Sequence, residues 1–423
     1  MRFDLLVKGG EVVDPGAGYG GRMDVAVKGG RIAAVEADIP AGTAFQVIDA
    51  DGLMVTPGLV DMHAHVFGGV GYFSIDPEPI ASQSGVTTWV DAGSVGAATL
   101  AGFRKYVVDV STLTFRVFVN IAYTGLVSQN YELSVDELCN VDLLKRVANQ
   151  NRDLVVGIKL RAGTSGGALG LIPFERTRKA ADELELPIMV HISTAPPDLA
   201  TVLGYLKRGD IITHAFTGQN MRLIDGHGKI LPEAKQAIES GVVLDLGHGA
   251  GSLSFDTAEA MFAQGYWPDV ISTDLHWMSI YGSGLILDDP GKGLVLTGVQ
   301  SKDDAGSVLV RIREGSPPTF SLLTCIDKML CLGMPFAEAI RRTTARPAEI
   351  LSLSGEVGTL RPGARADIAA FTIDKVDIEL RDIHGQVRHG TRSVRNHWTL
   401  LGGRQMDRTP VAAPPPWVQF IPA

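Results

Sequence analysis

The chain of 423 residues is predicted to be an α/β protein, a closed (β/α)8 barrel of the TIM-barrel type with a small flanking β-sandwich domain formed by both chain ends. Three observations predict this architecture. Strand-like and helix-like segments alternate through the middle, both ends carry short strand-like runs, and the length exceeds one ordinary compact domain. Alternation favours a parallel sheet, and eight strand-like runs favour its closure into a barrel.

The two chain ends share a pattern of short strands separated by glycine turns. Residues 1–55 include DLLVKGGEVVD and MDVAVKGGRIAAVE, and residues 355–423 include GTLRPGARADIAAF and VRNHWTLLGG. Two β-rich pieces on either side of a barrel can pair with each other. We therefore predict one small β-sandwich domain from residues 1–55 and 355–423.

Residues 56–354 are predicted to form the barrel. Its eight strand-like runs are LMVTPGLVDMHAH, GVTTWVDAG, FRVFVNIAYTG, DLVVGIKLRAG, LPIMVHIST, DIITHAFTG, VVLDLGHG and DVISTDLHW. Helix-like segments such as FERTRKAADELEL lie between them, with apolar residues three and four positions apart. An open doubly wound sheet is the alternative, but GTSGGALG lacks the phosphate-binding pattern and is predicted to be a mobile loop over the site. Residues of about 277–320 are polar and glycine-rich, which indicates an insertion after the eighth strand.

Composition excludes several classes of function. The net charge of −9 and the isoelectric point near 5.6 argue against a nucleic-acid partner. Three cysteines without a paired framework favour a reducing, cytoplasmic compartment. No run approaches about 18 uninterrupted apolar residues, so no membrane span is expected. A homo-oligomer stays open, and whether the partner is a small-molecule substrate depends on the candidate site residues.

Candidate site residues fall where the strand-like runs end. Barrel active sites form at the C-terminal ends of the strands, so side chains placed there converge on one mouth. The residues concerned are His63, His65, Lys159, His191, His214 and Asp274. Imidazoles and a carboxylate suit zinc and similar divalent ions. Lys159 does not, because an ammonium repels cations; it is either a carbamate formed with carbon dioxide or a lysine that buries its stem.

The motifs DMHAH, GIKLR, VHIST, THAFTG and STDLHW together resemble the amidohydrolase superfamily, binuclear metal type, near the dihydroorotase-like branch that contains deacetylases. The resemblance implies two divalent ions, most commonly zinc, one on His63 and His65 and the other on His191 and His214. It further implies a carbamate on Lys159 that bridges them, and Asp274 as a ligand of the first ion and proton shuttle. The implied reaction is hydrolysis of an amide or ester by a metal-bridging hydroxide, as in deacetylation of a small acylated carboxylic acid.

Two departures from that branch bear on the substrate. Dihydroorotases of the branch carry an arginine that grips the substrate carboxylate two residues after the HxH motif, where this chain has Phe67, and their last motif reads DHAP rather than DLHW. Dihydroorotase activity is therefore not expected. Arg161 and His276 lie two residues past Lys159 and Asp274, so on a strand they face the same mouth and could bind an acid group. A structural salt bridge is the alternative for Arg161, and a loop role is the alternative for His248, which also lies near the mouth.

Two other functions stay open. A cyclic-amide hydrolase, similar to a dihydroorotase or a hydantoinase, would share all of the metal chemistry and differ only in its substrate loops. A catalytically silent scaffold would keep the barrel but lose metal ligands, and this chain retains every ligand that the resemblance implies.

Overall fold

The computed structural model describes residues 2–164, 166–167, 170–282, 308–312, 320–410 and 418–422. The strands are β1 (Phe3–Asp14), β2 (Tyr19–Lys28), β3 (Arg31–Glu36), β4 (Ala44–Asp49), β5 (Met54–Pro57), β6 (Leu59–Ala64), β7 (Val86–Gly96), β8 (Thr114–Asn120), β9 (Val155–Arg161), β10 (Ile188–His191), β11 (Ile211–Thr213), β12 (Val243–Leu244), β13 (Val308–Ile312), β14 (Ile368–Arg381), β15 (Val387–Leu401), β16 (Arg404–Gln405) and β17 (Val418–Pro422). The helices are α1 (Glu78–Ser84), α2 (Leu100–Phe103), α3 (Val141–Gln150), α4 (Ile172–Leu184), α5 (Leu199–Gly204), α6 (Pro232–Glu239), α7 (Phe255–Phe262), α8 (Trp277–Gly282), α9 (Leu322–Cys331), α10 (Phe336–Arg341) and α11 (Ala345–Ile350).

Strands β6 to β12 form one parallel sheet in chain order. The eighth barrel segment, residues 269–276, closes this sheet because it bridges both edges: Val270 pairs with Asp245 beyond β12, and Leu275 pairs with Ala64 of β6. The His65 amide also donates to the Leu275 carbonyl at 2.8 Å. The eight strand-like runs of the sequence thus form the seven strands and the eighth segment of a closed barrel, and the predicted fold class is confirmed.

The interior of the barrel is a packed core. Val60 and Met62 of β6 share one apolar cluster with Met189 of β10 and Ile211 of β11, which lie across the barrel. Ala348 of α11 joins the same cluster. Because side chains fill the interior, a ligand can bind only at the mouth, where the C-terminal ends of the strands lie.

The helices between the barrel strands bury one face. In α3, Leu144 and Ala148 are buried one turn apart, and the Asn140 side chain accepts the Leu143 amide at the N-terminus. Helix α9 begins with a capping box in which Ser321 and Thr324 bond each other's backbone amides. Such ends fix where each helix starts, and therefore how each βα loop leaves the mouth.

Both chain ends join in a separate mixed sheet of order β16-β15-β14-β5-β1-β2-β3, with β4 paired to β1. The central junction is the antiparallel pairing of β5 with β14, in which Val55 lies opposite Ala370. Leu5, Val55, Ile368 and other apolar residues form a core of its own. The flanking domain from both ends is confirmed, while its predicted boundaries stay a prediction; β5 ends at Pro57 and β14 begins at Ile368.

The β14–β15 hairpin ties the flanking sheet to the barrel. Asp382 at its tip accepts the Phe255 amide at the start of α7 at 2.9 Å, and Arg388 pairs with Glu259 at 2.7 Å. Farther along, Ser393 donates to Asp327 of α9 at 2.8 Å. The hairpin thereby contacts α7 and α9, the helices that follow the seventh strand and the eighth segment of the barrel.

The predicted insertion of about 277–320 and the predicted mobile loop at 163–170 lie partly outside the described residues. Within the former, α8 begins directly after the eighth segment and β13 pairs in parallel with β17. Among the helices of the described residues, none is long and apolar enough to cross a membrane. The predicted cytoplasmic location stays a prediction.

Candidate metal centre

The first half of the centre consists of His63, His65 and Asp274. His63 lies in β6, His65 directly follows it, and Asp274 lies in the adjacent eighth segment. Nε2 of His63 and Nε2 of His65 are 3.2 and 3.0 Å from Oδ1 of Asp274. One ligand atom from each residue falls within a group no wider than 4.8 Å. The two histidines share one side of the strand, as their spacing predicts, and both face the carboxylate.

Buried oxygens hold the two rings from behind. Nδ1 of His63 is 2.7 Å from the Thr213 hydroxyl and 3.4 Å from Asp245, and Nδ1 of His65 is 2.8 Å from the Ser94 hydroxyl. A ring whose Nδ1 is bonded in this way keeps its orientation and presents Nε2 to a metal. Sequence reasoning did not identify these three residues. Asp245 directly follows β12, within the seventh run, and could have been found, whereas Thr213 and Ser94 carry no signal.

The second half of the centre consists of His191 and His214, at the ends of β10 and β11. Their ring centroids are 4.3 Å apart, and the His214 ring is 5.3 Å from that of His63. Nδ1 of His214 donates to the Gly247 carbonyl at 2.6 Å. Its Nε2 is buried without a hydrogen-bond partner among the described residues and lies 4.0 Å from Oδ2 of Asp274. His214 and Asp274 both have positive φ, at 63° and 49°, which indicates backbone held in an unusual conformation at the site.

Lys159 of β9 projects into the same space and is 1% exposed. Its Nζ lies 3.1 Å from Nε2 of His63 and 3.6 Å from the Met189 sulfur. A Cβ at Gly93 would fall 2.6 Å from Cγ of Lys159, so glycine leaves the room that the lysine stem occupies. Burial lowers the pKa of Lys159 to about 8, which makes an unprotonated amine accessible near neutral pH.

The donor set fits a divalent cation. Burial lowers the pKa of His214 to about 3 and that of His191 well below its ordinary value, so both rings are neutral, the form that binds metals. Asp274 adds a carboxylate, and the partnerless Nε2 of His214 is the kind of buried polar atom that a metal would satisfy. The residues present therefore fit a metal ion.

Two further buried carboxylates shape the backbone around the centre. Asp61 accepts the Thr273 hydroxyl at 2.6 Å and its amide at 3.1 Å, which fastens the eighth segment to β6. Asp91 accepts the amides of Val66 and Val95 at 3.0 and 3.1 Å, which orders the loops that follow β6 and the end of β7. Both therefore support the site through the backbone.

Arg161, the last residue of β9, is paired with a carboxylate. Its Nε and Nη2 donate to the two Glu132 oxygens at 2.6 and 2.7 Å, and both side chains are buried. Glu132 lies in the loop after β8 and was not identified from the sequence. The guanidinium is therefore held at the mouth by a bidentate ion pair.

His276 and Phe67 take different positions. Nε2 of His276 lies 4.0 Å from Oδ2 of Asp274, and its ring is 5.5 Å from that of Phe73. Burial lowers the pKa of His276 to about 4, so the ring is neutral. Phe67 is 2% exposed and packs edge-to-face on Phe103 at 5.3 Å, inside the apolar core. Phe67 thus contributes packing where dihydroorotases of the resembled branch place a charge.

The fold and site define a class of enzyme. The sequence profile of the amidohydrolase family matches residues 46–97 and 332–405, which include the HxH motif and much of the flanking sheet. The structure of an adenine deaminase superposes with a TM-score of 0.81 at 31% identity, covering 96% of this chain and 100% of that one. The structure of a dihydroorotase gives a TM-score of 0.77 at 30% identity, covering 95% and 98%.

A deacetylase of Enterococcus faecalis is similar along its whole length. The two sequences are 33% identical over 411 residues, which make up 96% of this chain and 100% of the relative. This chain therefore belongs to the amidohydrolase family, and it is a hydrolytic enzyme that acts on a small molecule.

Proposed function

We propose that this enzyme removes an acyl group, most simply acetyl, from a small acylated carboxylic acid by hydrolysis of an amide or ester bond. The observation that carries the proposal is the convergence of both halves of the centre and Lys159 on one barrel mouth. In this proposal, two zinc ions would be held by the side chains of His63, His65, Lys159, His191, His214 and Asp274. Bound metal would polarise the acyl carbonyl and lower the pKa of water to roughly 7.

Lys159 is proposed to hold the ions as a carbamate. Its unprotonated, neutral amine adds to carbon dioxide: an N–C bond forms as one C=O π bond opens, and one proton is released to water, so the neutral amine becomes an anionic carbamate. The pKa of about 8 that burial gives Lys159 supplies the unprotonated amine for this addition. Nζ lies 3.1 Å from Nε2 of His63, which supports a carbamate whose carboxylate would lie beside this imidazole.

Asp274 is proposed to move the proton. Its Oδ1 contacts His63 and His65, while its Oδ2 lies 4.0 Å from both His214 and His276. A carboxylate between the two halves can take a proton from the attacking water and pass it to the leaving nitrogen or oxygen. The neutral His276 ring beside it can orient the substrate.

The choice of substrate rests on the relatives and on Phe67. The full-length relative from Enterococcus faecalis is a deacetylase. Phe67 has no ionisable group and is buried in the core, so it offers no cation to a dihydroorotate carboxylate. Arg161 and His276 are the candidates for binding the acid group of a differently shaped substrate. The dihydroorotase structure at 30% identity favours a cyclic-amide hydrolase as the second candidate function.

A hydrolysis screen of zinc-loaded protein tests the proposal. Its arms are N-acetyl and O-acetyl carboxylic acids, dihydroorotate, hydantoins and adenine. Release of acetate from at least one acetylated acid, with little turnover of the cyclic compounds, is the expected result. Efficient turnover of dihydroorotate or a hydantoin would instead establish the second candidate. Folded protein that takes up no zinc would refute the metal centre itself.

A further inference from the structure

The turn Gly247–His248–Gly249, which follows β12, contacts both halves of the metal centre. The Gly247 carbonyl accepts Nδ1 of His214, and a Cβ on Gly249 would lie 2.6 Å from Oδ2 of Asp274. Both glycines have positive φ, at 47° and 58°, so the turn depends on residues without side chains. The position of this turn therefore determines the orientation of the His214 ring and the amount of free space beside the Asp274 carboxylate.

The side chain of His248 points away from the metal ligands to a buried lysine. Nδ1 of His248 donates to the Gly249 carbonyl at 2.7 Å, so Nε2 accepts from Nζ of Lys328 at 2.6 Å. Burial, aided by the Lys328 charge, holds the pKa of His248 well below its ordinary value, which keeps the ring neutral and able to accept. Phe320 packs on the ring with centroids 4.7 Å apart.

Lys328 itself is unusual because helix α9 buries it to 4% exposure. Within the described part of the chain no ion pair joins a carboxylate to its ammonium; Nζ instead lies 2.6 Å from Nε2 of His248 and 5.9 Å from the centre of the Phe255 ring. Burying an ammonium costs free energy, and this burial lowers the pKa of Lys328 to about 8. An apolar residue would fill this place at lower cost, so packing alone does not account for the lysine.

We propose that Lys328 and His248 are positioning residues of the metal centre. The hydrogen bond between them anchors the glycine turn to helix α9, and the turn in turn orients His214. The second half depends on this anchor more than the first half does, because oxygens of Thr213, Asp245 and Ser94 hold the rings of His63 and His65 independently. This inference rests on the proposed two-metal function and adds a determinant of how tightly the second ion is held.

The test compares zinc release to a chelator in four variants. His248→Leu and Lys328→Met remove the hydrogen bond, whereas His248→Gln keeps an acceptor for the lysine. Asp327→Asn is the matched control, since the neighbouring residue of α9 bonds Ser393 and Val394 of the flanking sheet instead. Thermal unfolding of the zinc-free variants accompanies the release measurement.

The expected result is that His248→Leu and Lys328→Met release one of the two zinc ions about 10- to 100-fold more readily, the usual effect of losing a residue behind a metal ligand. His248→Gln should release zinc like the wild type. The Asp327 control should lower the melting temperature without changing release, which separates positioning from general stability. Should His248→Leu fail to fold, Lys328→Met provides the same comparison.

Two failures are distinguishable. Wild-type protein that binds no zinc overturns the proposed function, and this inference with it. Wild-type protein that holds two zinc ions, with variants that release both at the wild-type rate, overturns only the positioning role. Equal acceleration by the Asp327 control would also overturn it, because the effect would then belong to the whole helix.

Discussion

Nε2 of His63 and of His65 lies 3.2 and 3.0 Å from the Asp274 carboxylate, whereas Nε2 of His214 lies 4.0 Å from it and has no hydrogen-bond partner among the described residues. The first half is therefore held together by its own contacts. In the second half, the rings of His191 and His214 pack edge-to-face, and neither ring is as close to the carboxylate as the rings of the first half. The ligands of the first half contact one another, whereas His214 is oriented from behind by the Gly247 carbonyl, so an ion has most to contribute in the second half.

The largest expected effect comes from Lys159, whose charge acts on rings of both halves. Lys159→Ala should lose bound zinc and activity together, because it removes the proposed bridge. Elemental analysis should find close to two zinc equivalents per wild-type chain and fewer in the variant. Short carboxylic acids should partly restore both properties by replacing the carbamate. A metal-loaded and fully active variant would show that the lysine only packs.

Asp274 is the one described side chain that approaches the histidines of both halves through its own oxygens. Asp274→Asn should fold normally and lose turnover by roughly 10²- to 10⁴-fold, the usual contribution of a general acid–base group. The matched control is Asp269→Asn at the opposite end of the same segment, which pairs with Arg346 and should keep its turnover. If Asp274→Asn kept the same turnover as the Asp269→Asn control, another residue would have to transfer the proton.

Asp245 tests how far the first half depends on its support. The carboxylate lies 3.4 Å from Nδ1 of His63 and accepts the Ser272 hydroxyl at 2.6 Å. Asp245→Asn should weaken zinc binding in the first half by about 10- to 100-fold. A zinc titration should then show one weakened site and one unchanged. Weakening of both sites alike would mean that the halves are coupled more closely than their contacts indicate.

The smallest expected effect is on substrate choice. Arg161→Met should lower kcat/KM toward acetylated acids about tenfold. This corresponds to about 1.5 kcal/mol, the low end of the contribution of a hydrogen bond to a charged group. The effect is small because Glu132 already neutralises the guanidinium. The matched substrates are the methyl esters of the same acids. A loss confined to the free acids supports carboxylate binding by Arg161. An equal loss for acids and esters indicates that the pair with Glu132 serves structure alone.

The sequence was sufficient to predict the barrel strands and the positions of the histidines at the mouth of the barrel. Strand alternation and the polar ends of each run are local properties, and barrel geometry converts the end of a strand into a place at the mouth. His63 and Asp274 are more than 200 residues apart, yet both follow from this rule. The flanking domain was predictable for the same reason, since short strands with glycine turns are visible without knowing their partners.

The supporting contacts were not predictable because they join residues whose local sequence is ordinary. Glu132 lies in a loop with no regular pattern, and its pairing with Arg161 exists only once two βα loops meet. Lys328 has the spacing of any helical lysine, and only the packed structure shows that it faces His248. Such pairings depend on how the helices pack against the barrel strands, and the hydrophobic periodicity of the sequence does not specify that packing.

The pairing of β5 with β14 has a consequence for biosynthesis. Val55 and Ala370 are neighbours in the flanking sheet although about 300 residues separate them in the chain. At a synthesis rate of roughly 5–20 residues per second, β5 waits roughly 15–60 seconds for its partner while the whole barrel emerges between them. Throughout that interval β5 presents an open strand edge, the kind that recruits other unfinished chains. The nascent enzyme is therefore exposed to aggregation at β5 during this interval, and a truncation before Ile368 would make that exposure permanent.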